Sequence, residues 1–129
     1  MGRGKVLIVE DSAATRDYYK EYLQRRGFAV DEAYNGLEAL EKFAVGRYDA
    51  AIVDINMPKM DGYQFIRELR GGERSYTIPI AVVSSESKPS DQQLAYQAGA
   101  NAYLVKPVKP DRLEALIRLF GIEPEGAGV

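Results

Sequence analysis

The chain has 129 residues, enough for one domain around one core, and its 46% hydrophobic and 28% charged residues form a globular mixture. A formal net charge of −2, without a Lys/Arg-rich run or basic stripe, argues against direct contact with nucleic acid. The absence of cysteine and histidine excludes disulfides, thiolate metal sites, an imidazole base and a histidine phosphate carrier within the chain.

The apolar runs are far too short to span a bilayer, and Met1 to Lys5 leads into a strand-like run without a signal-peptide core. A cytoplasmic protein without membrane contact is expected. In chain order, Val6-Leu7-Ile8-Val9 is a continuous apolar run ending at Glu10-Asp11. A helical pattern follows, with Ala14, Tyr18 and Tyr22 four apart, Tyr19 and Leu23 beside them, and Gly27 just past the end. Phe28 to Ala33 reads as a second, weaker strand. Asn35-Gly36 marks a turn into a helix lined by Leu37, Leu40 and Phe43. Ala50 to Val53 is a third strand ending at Asp54, and Met57 to Gly62 is a loop before a helix marked by Phe65, Ile66 and Leu69. Ile78 to Val83 is a fourth strand ending at Ser84. A helix from about Pro89 to Ala98 carries Leu94 and stops at Gly99. Ala102 to Val105 is a fifth strand ending at Lys106. Pro110 opens the last helix, whose stripe is Leu113, Leu116, Ile117 and Phe120.

This alternation predicts an α/β domain over residues 1–120: a five-stranded parallel sheet with helices on both faces and strand order 2-1-3-4-5. The continuous apolar runs suit strands buried on both sides. Residues 121–129, with three glycines and a proline, read as a flexible tail.

The strand ends carry the chemistry. Glu10-Asp11, Asp54, Ser84-Ser85 and Lys106 follow the first, third, fourth and fifth apolar runs. Open α/β sheets bind ligands outside the carboxyl ends of their strands, so this fold would gather three carboxylates, a hydroxyl and an ammonium. Clustered carboxylates repel unless a cation joins them, and an oxygen-only set suits Mg²⁺ better than zinc. A phosphoryl group could then lie between cation and ammonium, with Ser84 donating to it and Asp54 as nucleophile. Taken singly, each residue has a bland reading: an acidic helix start, a turn aspartate, an ordinary strand end. Only the joint arrangement outweighs those readings.

These residues bring the chain into resemblance with a known family. It resembles the receiver domain of two-component response regulators, and is most similar to the stand-alone type exemplified by the chemotaxis regulator. The resemblance covers about residues 4–120. It rests on Val-Leu-Ile-Val-Glu-Asp-Ser at 6–12, Asp-Ile-Asn-Met-Pro-Lys-Met-Asp-Gly at 54–62, Pro-Ile-Ala-Val-Val-Ser-Ser at 79–85 and Ala-Gly-Ala-Asn-Ala-Tyr-Leu-Val-Lys-Pro at 98–107. It implies a flavodoxin-like doubly wound fold. It also implies Asp54 as phosphoacceptor, Mg²⁺ held by Glu10, Asp11, Asp54 and the backbone carbonyl of Asn56, and Lys106 paired with the phosphoryl group. Ser84 and Tyr103 would be the switch pair, and the Lys106-Pro107 bond cis. Glu10 stands where the family commonly has aspartate, Ser84 where it often has threonine, and Ser85 where alanine is frequent. Asn56 and Glu86 occupy positions that tune dephosphorylation in the family.

The implied donor is the phosphohistidine of a sensor histidine kinase or a histidine phosphotransfer protein. The implied output is a downstream protein reading the surface of the fourth helix, fifth strand and fifth helix. The domain would catalyse its own phosphoryl transfer and autodephosphorylation rather than act as a conventional enzyme. Other phosphate chemistries fit less well. A haloacid-dehalogenase-type phosphatase needs an aspartate where Asn56 stands. A flavodoxin needs a phosphate loop where Glu10-Asp11 would repel the ligand, and no P-loop is present. The remaining alternative is a receiver-like protein-binding module that works without phosphorylation.

Overall fold

The computed structural model describes residues 4–57, 60–72 and 76–124. Five strands alternate with five helices: β1 (Lys5–Val9), α1 (Ala13–Arg25), β2 (Ala29–Ala33), α2 (Gly36–Val45), β3 (Ala50–Asp54), α3 (Gly62–Gly71), β4 (Ile80–Ser84), α4 (Pro89–Ala98), β5 (Ala102–Val105) and α5 (Pro110–Leu119). All pairings are parallel and the order is β2-β1-β3-β4-β5, the flavodoxin-like arrangement expected from the sequence.

Strand periodicity divides the core into two layers. Leu7, Val9, Ala51, Val53, Ile80 and Val82 face α2, α3 and α4, where Phe43, Phe65, Ile66, Leu69 and Ala95 meet them. Val6, Ile8, Ala50, Ile52 and Val83 face the other way, against Tyr19 and Leu23 of α1 and Leu113 and Ile117 of α5. Consecutive residues of β1 and β3 thus serve opposite layers, which is why those strands are apolar without interruption.

Helix starts follow local chemistry. Ser12, Asn35 and Asp61 cap α1, α2 and α3, each accepting from the backbone N–H three residues on. Pro89 and Pro110 occupy first turns, where a missing N–H costs nothing.

Three sequence expectations change. The buried stripe of α1 is Tyr19 and Leu23, whereas Ala14 and Tyr18 are exposed and Tyr22 is half-buried. Both rows have the same four-residue spacing, so periodicity alone does not say which one meets the sheet. Leu37 and Leu94 also face outward, because α2 and α4 turn Ala39, Phe43, Ala95 and Ala98 inward. Finally, the packed body passes the expected boundary at residue 120. Ile122 is 4% exposed within the α1/α5 layer, and its N–H donates to the Ile117 carbonyl at 3.3 Å. Glu123 pairs with Arg118 at 2.7 Å. One isoleucine with a core to enter is enough to order the start of a glycine-rich segment. Residues 125–129, the remainder of the expected tail, lie outside the described residues.

Arg70, near the end of α3, joins two connections at the sheet edge remote from the strand carboxyl ends. Its guanidinium donates to the carbonyls of Gly99, Tyr76 and Ile78 and to Asn101 Oδ1, at 2.6–3.1 Å. Gly99 is at φ 120°, and a Cβ there would lie 2.7 Å from Arg70 Cγ, so both the backbone angle and the close approach require glycine.

Candidate functional site

A parallel sheet brings every strand's carboxyl end to one edge, and the residues expected to form the site stand there. Glu10 follows β1, Asp54 ends β3, Ser84 ends β4 and Lys106 follows β5. Carboxylate oxygens of Glu10, Asp11 and Asp54 lie within 4.8 Å of one another. Lys106 Nζ lies 3.3 Å from Asp54 Oδ2 and 3.7 Å from Glu10 Oε1. Glu10 and Asp54 are each 4% exposed, while Asp11 is open to solvent. The pocket therefore has a buried acidic floor, one exposed carboxylate at its mouth and an ammonium across from it.

The backbone aims these groups. Asn56 N–H donates to Asp54 Oδ1 at 3.2 Å, leaving Oδ2 toward the lysine. Ser12 N–H donates to Glu10 Oε2 at 3.1 Å. Gly62 N–H donates to the Ile55 carbonyl, and a Cβ at Gly62 would lie 2.8 Å from the Asp54 carbonyl oxygen. Only glycine lets α3 start this close to the strand end. The Lys106-Pro107 peptide is cis. Pro58 and Lys59 of the intervening loop lie outside the described residues.

Electrostatics give this pocket an appetite for a cation. Burial, with the neighbouring Asp54 adding to it, pushes the Glu10 carboxyl from 4.5 up to about 7. The donor set is wholly oxygen, drawn from three carboxylates with one side open, which fits a hard divalent ion that retains water.

Ser84 is fully buried and its Oγ accepts from the Glu86 N–H at 3.0 Å. The Tyr103 hydroxyl donates to the Glu86 carbonyl at 2.7 Å. The Ser84 and Tyr103 side chains thus meet at one residue, Glu86, a connection the sequence did not reveal. Two further supports were also missed. Tyr19, buried in α1, donates its hydroxyl to the Val108 carbonyl at 3.1 Å and so ties α1 to the segment after Lys106. Arg16 donates to the Glu10 carbonyl at 2.8 Å. Its one sequence signal is that it is the only cation between Lys5 and Lys20. Beside Lys106, a groove of about 450 Å³ runs along Thr15, Tyr18, Tyr19, Pro107 and Val108.

Comparison with known proteins places the chain in a family. The family model described as Response regulator receiver domain matches residues 6–118. The chain is 36% identical over 118 residues to the transcriptional regulatory protein ResD of Bacillus subtilis, covering 88% of this chain and 48% of that protein. It is 35% identical over 125 residues to the response regulator MprA of Mycobacterium tuberculosis, covering 95% of this chain and 54% of that protein. The chain thus spans about half the length of these curated relatives. Among solved structures, the chemotaxis protein CheY4 of Vibrio cholerae superposes with a TM-score of 0.86 at 34% identity, covering 92% of this chain and 99% of that one. The receiver domain of the sensor histidine kinase PA1611 of Pseudomonas aeruginosa, with a magnesium ion coordinated in its active-site cleft, gives a TM-score of 0.82 at 31% identity, covering 94% and 99%. With the family model spanning β1 to α5, the doubly wound fold and the acidic cluster at the strand ends, this chain belongs to the response regulator receiver domain family.

Proposed function

We propose that the domain accepts a phosphoryl group on Asp54 from the phosphohistidine of a sensor histidine kinase or histidine phosphotransfer protein. The observation that carries this reading is the placement of Asp54 between the acidic pair and Lys106, with Nζ 3.3 Å from Oδ2. A carboxylate oxygen of Asp54 attacks phosphorus, the new P–O bond forms as the P–N bond breaks, and the electron pair leaves with the imidazole nitrogen. Lys106 faces the incoming phosphoryl oxygens, and Asn56 N–H holds the carboxylate in orientation. Glu10, Asp11 and Asp54 would hold Mg²⁺ through side-chain oxygens, with the Asn56 carbonyl adding a fourth protein ligand. Bound there, the ion would neutralise the acidic floor and draw charge from a phosphoryl oxygen.

The Ser84 hydroxyl reports the modification. A phosphoryl oxygen on Asp54 offers it a charged acceptor, and turning toward that acceptor loosens its hold on the Glu86 N–H. The carbonyl of that same residue holds the Tyr103 hydroxyl. A charge event on β3 thereby passes through one residue to β5 and reshapes the surface of α4, β5 and α5. Leu94, Val105 and Leu119, one on each of these elements, are exposed apolar residues available to a downstream protein. Among the described residues no helix is long and apolar enough to cross a membrane.

Incubation with acetyl phosphate and Mg²⁺ should add one phosphoryl group per chain by intact mass, and chelation of the ion should prevent it. No mass gain under any divalent ion would favour the phosphorylation-independent binding module. Lys106→Ala should still fold and should bind Mg²⁺ more tightly, by about 3- to 10-fold, because the carboxylates lose a competing cation. The phosphorylation-dependent change at the Tyr103 ring should disappear in that variant. A normal ring-proton NMR change in modified Lys106→Ala would exclude the lysine from the coupling.

A further inference from the structure

Arg16 leaves the body of α1 and reaches back over the helix start. Its Nη1 donates to the Glu10 carbonyl at 2.8 Å and lies 3.4 Å from the Asp11 carbonyl, while Nε donates to Glu32 Oε2 on β2 at 3.3 Å. The guanidinium covers the Tyr34 ring, with Cζ 5.5 Å from the centroid. Only 13% of the Arg16 side chain is exposed. One planar group therefore ties three parts of the chain together: the loop bearing the acidic pair, the first turns of α1 and the end of β2.

The loop needs such a tie. Glu10 N–H still donates to the Ala33 carbonyl of β2 at 3.0 Å, but that is the last ladder bond: Asp11 lies beyond it, and the carboxylates of both residues crowd that of Asp54. Mutual repulsion acts to spread the loop. The two carbonyls that Arg16 gathers belong to the same residues that carry the repelling carboxylates. Fixing those carbonyls fixes the points from which both side chains project. The anchor on β2 is itself firm. Burial pushes the Glu32 carboxyl up, but Lys20 Nζ at 3.2 Å and Arg16 outweigh it and hold it below its ordinary range. Glu32 stays ionised at neutral pH, so the clamp remains closed.

We propose that Arg16 is a positioning residue for the acidic pair, presetting Glu10 and Asp11 for a divalent cation by clamping their backbone against Glu32 and Tyr34. This rests on reading the cluster as a Mg²⁺ site. Charge and position make opposite predictions here. As a mere cation near the pocket, Arg16 would repel Mg²⁺, and its removal would tighten binding. As a clamp, its removal weakens binding, and lysine does not replace it, because an ammonium cannot span two carbonyls and a carboxylate while stacking on a ring.

The test uses the full chain in wild-type, Arg16→Lys, Arg16→Gln and Glu32→Gln forms. Mg²⁺ affinity is read by calorimetry, and amide exchange at Ser12 is read by NMR in the metal-free state. Both Arg16 variants should lose about tenfold in Mg²⁺ affinity, the lower end of the range for outer-sphere partners of metal ligands. Glu32→Gln should lose less, since the carbonyl contacts persist. Ser12 exchange, sensitive to its bond with Glu10, should quicken in both Arg16 variants without metal. Tighter binding in Arg16→Gln with unchanged affinity in Arg16→Lys would reduce Arg16 to a charge and overturn the proposal, as would unchanged exchange. If an Arg16 variant fails to fold, Glu32→Gln carries the test, and unchanged affinity and exchange there would overturn it. Wild-type protein that binds no Mg²⁺ sensitive to Asp11→Asn would instead remove the metal-site reading. Quickened Ser12 exchange in the Arg16 variants would still uphold the clamp.

Discussion

Arg70→Met should lower the stability of the domain by about 3 kcal/mol. The guanidinium holds the carbonyls of Tyr76 and Ile78 before β4 and that of Gly99 after α4, together with Asn101 Oδ1. Asn101 Oδ1 in turn accepts from the Ile80 N–H at 2.8 Å, at the start of β4. Burial pulls the guanidinium below its usual value, and its partners here are carbonyl oxygens rather than carboxylates. Methionine matches the length of the stem and offers no donor, so several acceptors lose their partner at once. Leaving one buried acceptor unpaired costs about 1–3 kcal/mol, and water entering from the exposed side recovers part of the sum. Arg70→Lys should recover only part of the loss, because three ammonium donors cannot reproduce the planar fork. Urea titration measures both. A shift below about 1 kcal/mol in Arg70→Met would mean that solvent already serves these carbonyls.

Asp54→Asn should do two opposite things: abolish the phosphoryl acceptor and stabilise the metal-free domain by on the order of 1 kcal/mol. The second effect follows from the acidic floor. Asp54 is buried beside Glu10 and helps raise the Glu10 carboxyl to about 7. A carboxyl raised on folding binds its proton more tightly in the folded chain than in the unfolded one. Its contribution is fully present below the ordinary value of 4.5 and is lost as pH rises through about 7. Metal-free wild-type protein should therefore lose stability between those limits, and Mg²⁺ should restore it at the upper end. Asparagine removes the like charge, so the slope should flatten while burial of Glu10 keeps some of it. The loss of the Lys106–Asp54 contact acts in the other direction, but that lysine is about one-third exposed and retains Glu10 nearby. Thermal midpoints in chelator across this pH range measure the balance. An Asp54→Asn protein less stable than wild type near pH 7 would mean that the lysine pair outweighs the repulsion.

Much of this was legible because the relevant residues announce themselves. β1, β3 and β4 are runs of apolar residues, and right-handed parallel crossovers leave few strand orders, the observed 2-1-3-4-5 among them. The residues at their ends stand in the one place where such folds bind ligands, so Glu10, Asp11, Asp54, Ser84 and Lys106 could be gathered before any coordinates. What stayed hidden was the work of backbone carbonyls. Arg16, Arg70, Tyr19 and Tyr103 all act by donating to carbonyl oxygens, which every residue carries and no sequence pattern marks. The inward face of α1 was hidden for a different reason. Two aromatic rows share one spacing, and only packing against Val6 and Ile8 chooses Tyr19 over Tyr18. The order at Ile122 likewise depends on a place in the core that composition does not reveal.

Borohydride trapping shows whether Asp54 is the residue that takes the phosphoryl group. The full chain is treated with acetyl phosphate and Mg²⁺, reduced, digested and mapped by mass spectrometry. An acyl phosphate is reduced to the alcohol, so homoserine is expected at position 54 in wild-type protein, with none when Mg²⁺ is chelated and no converted residue in Asp54→Asn. Conversion at another carboxylate in wild-type protein, or undiminished phosphoryl labelling of Asp54→Asn, would contradict it.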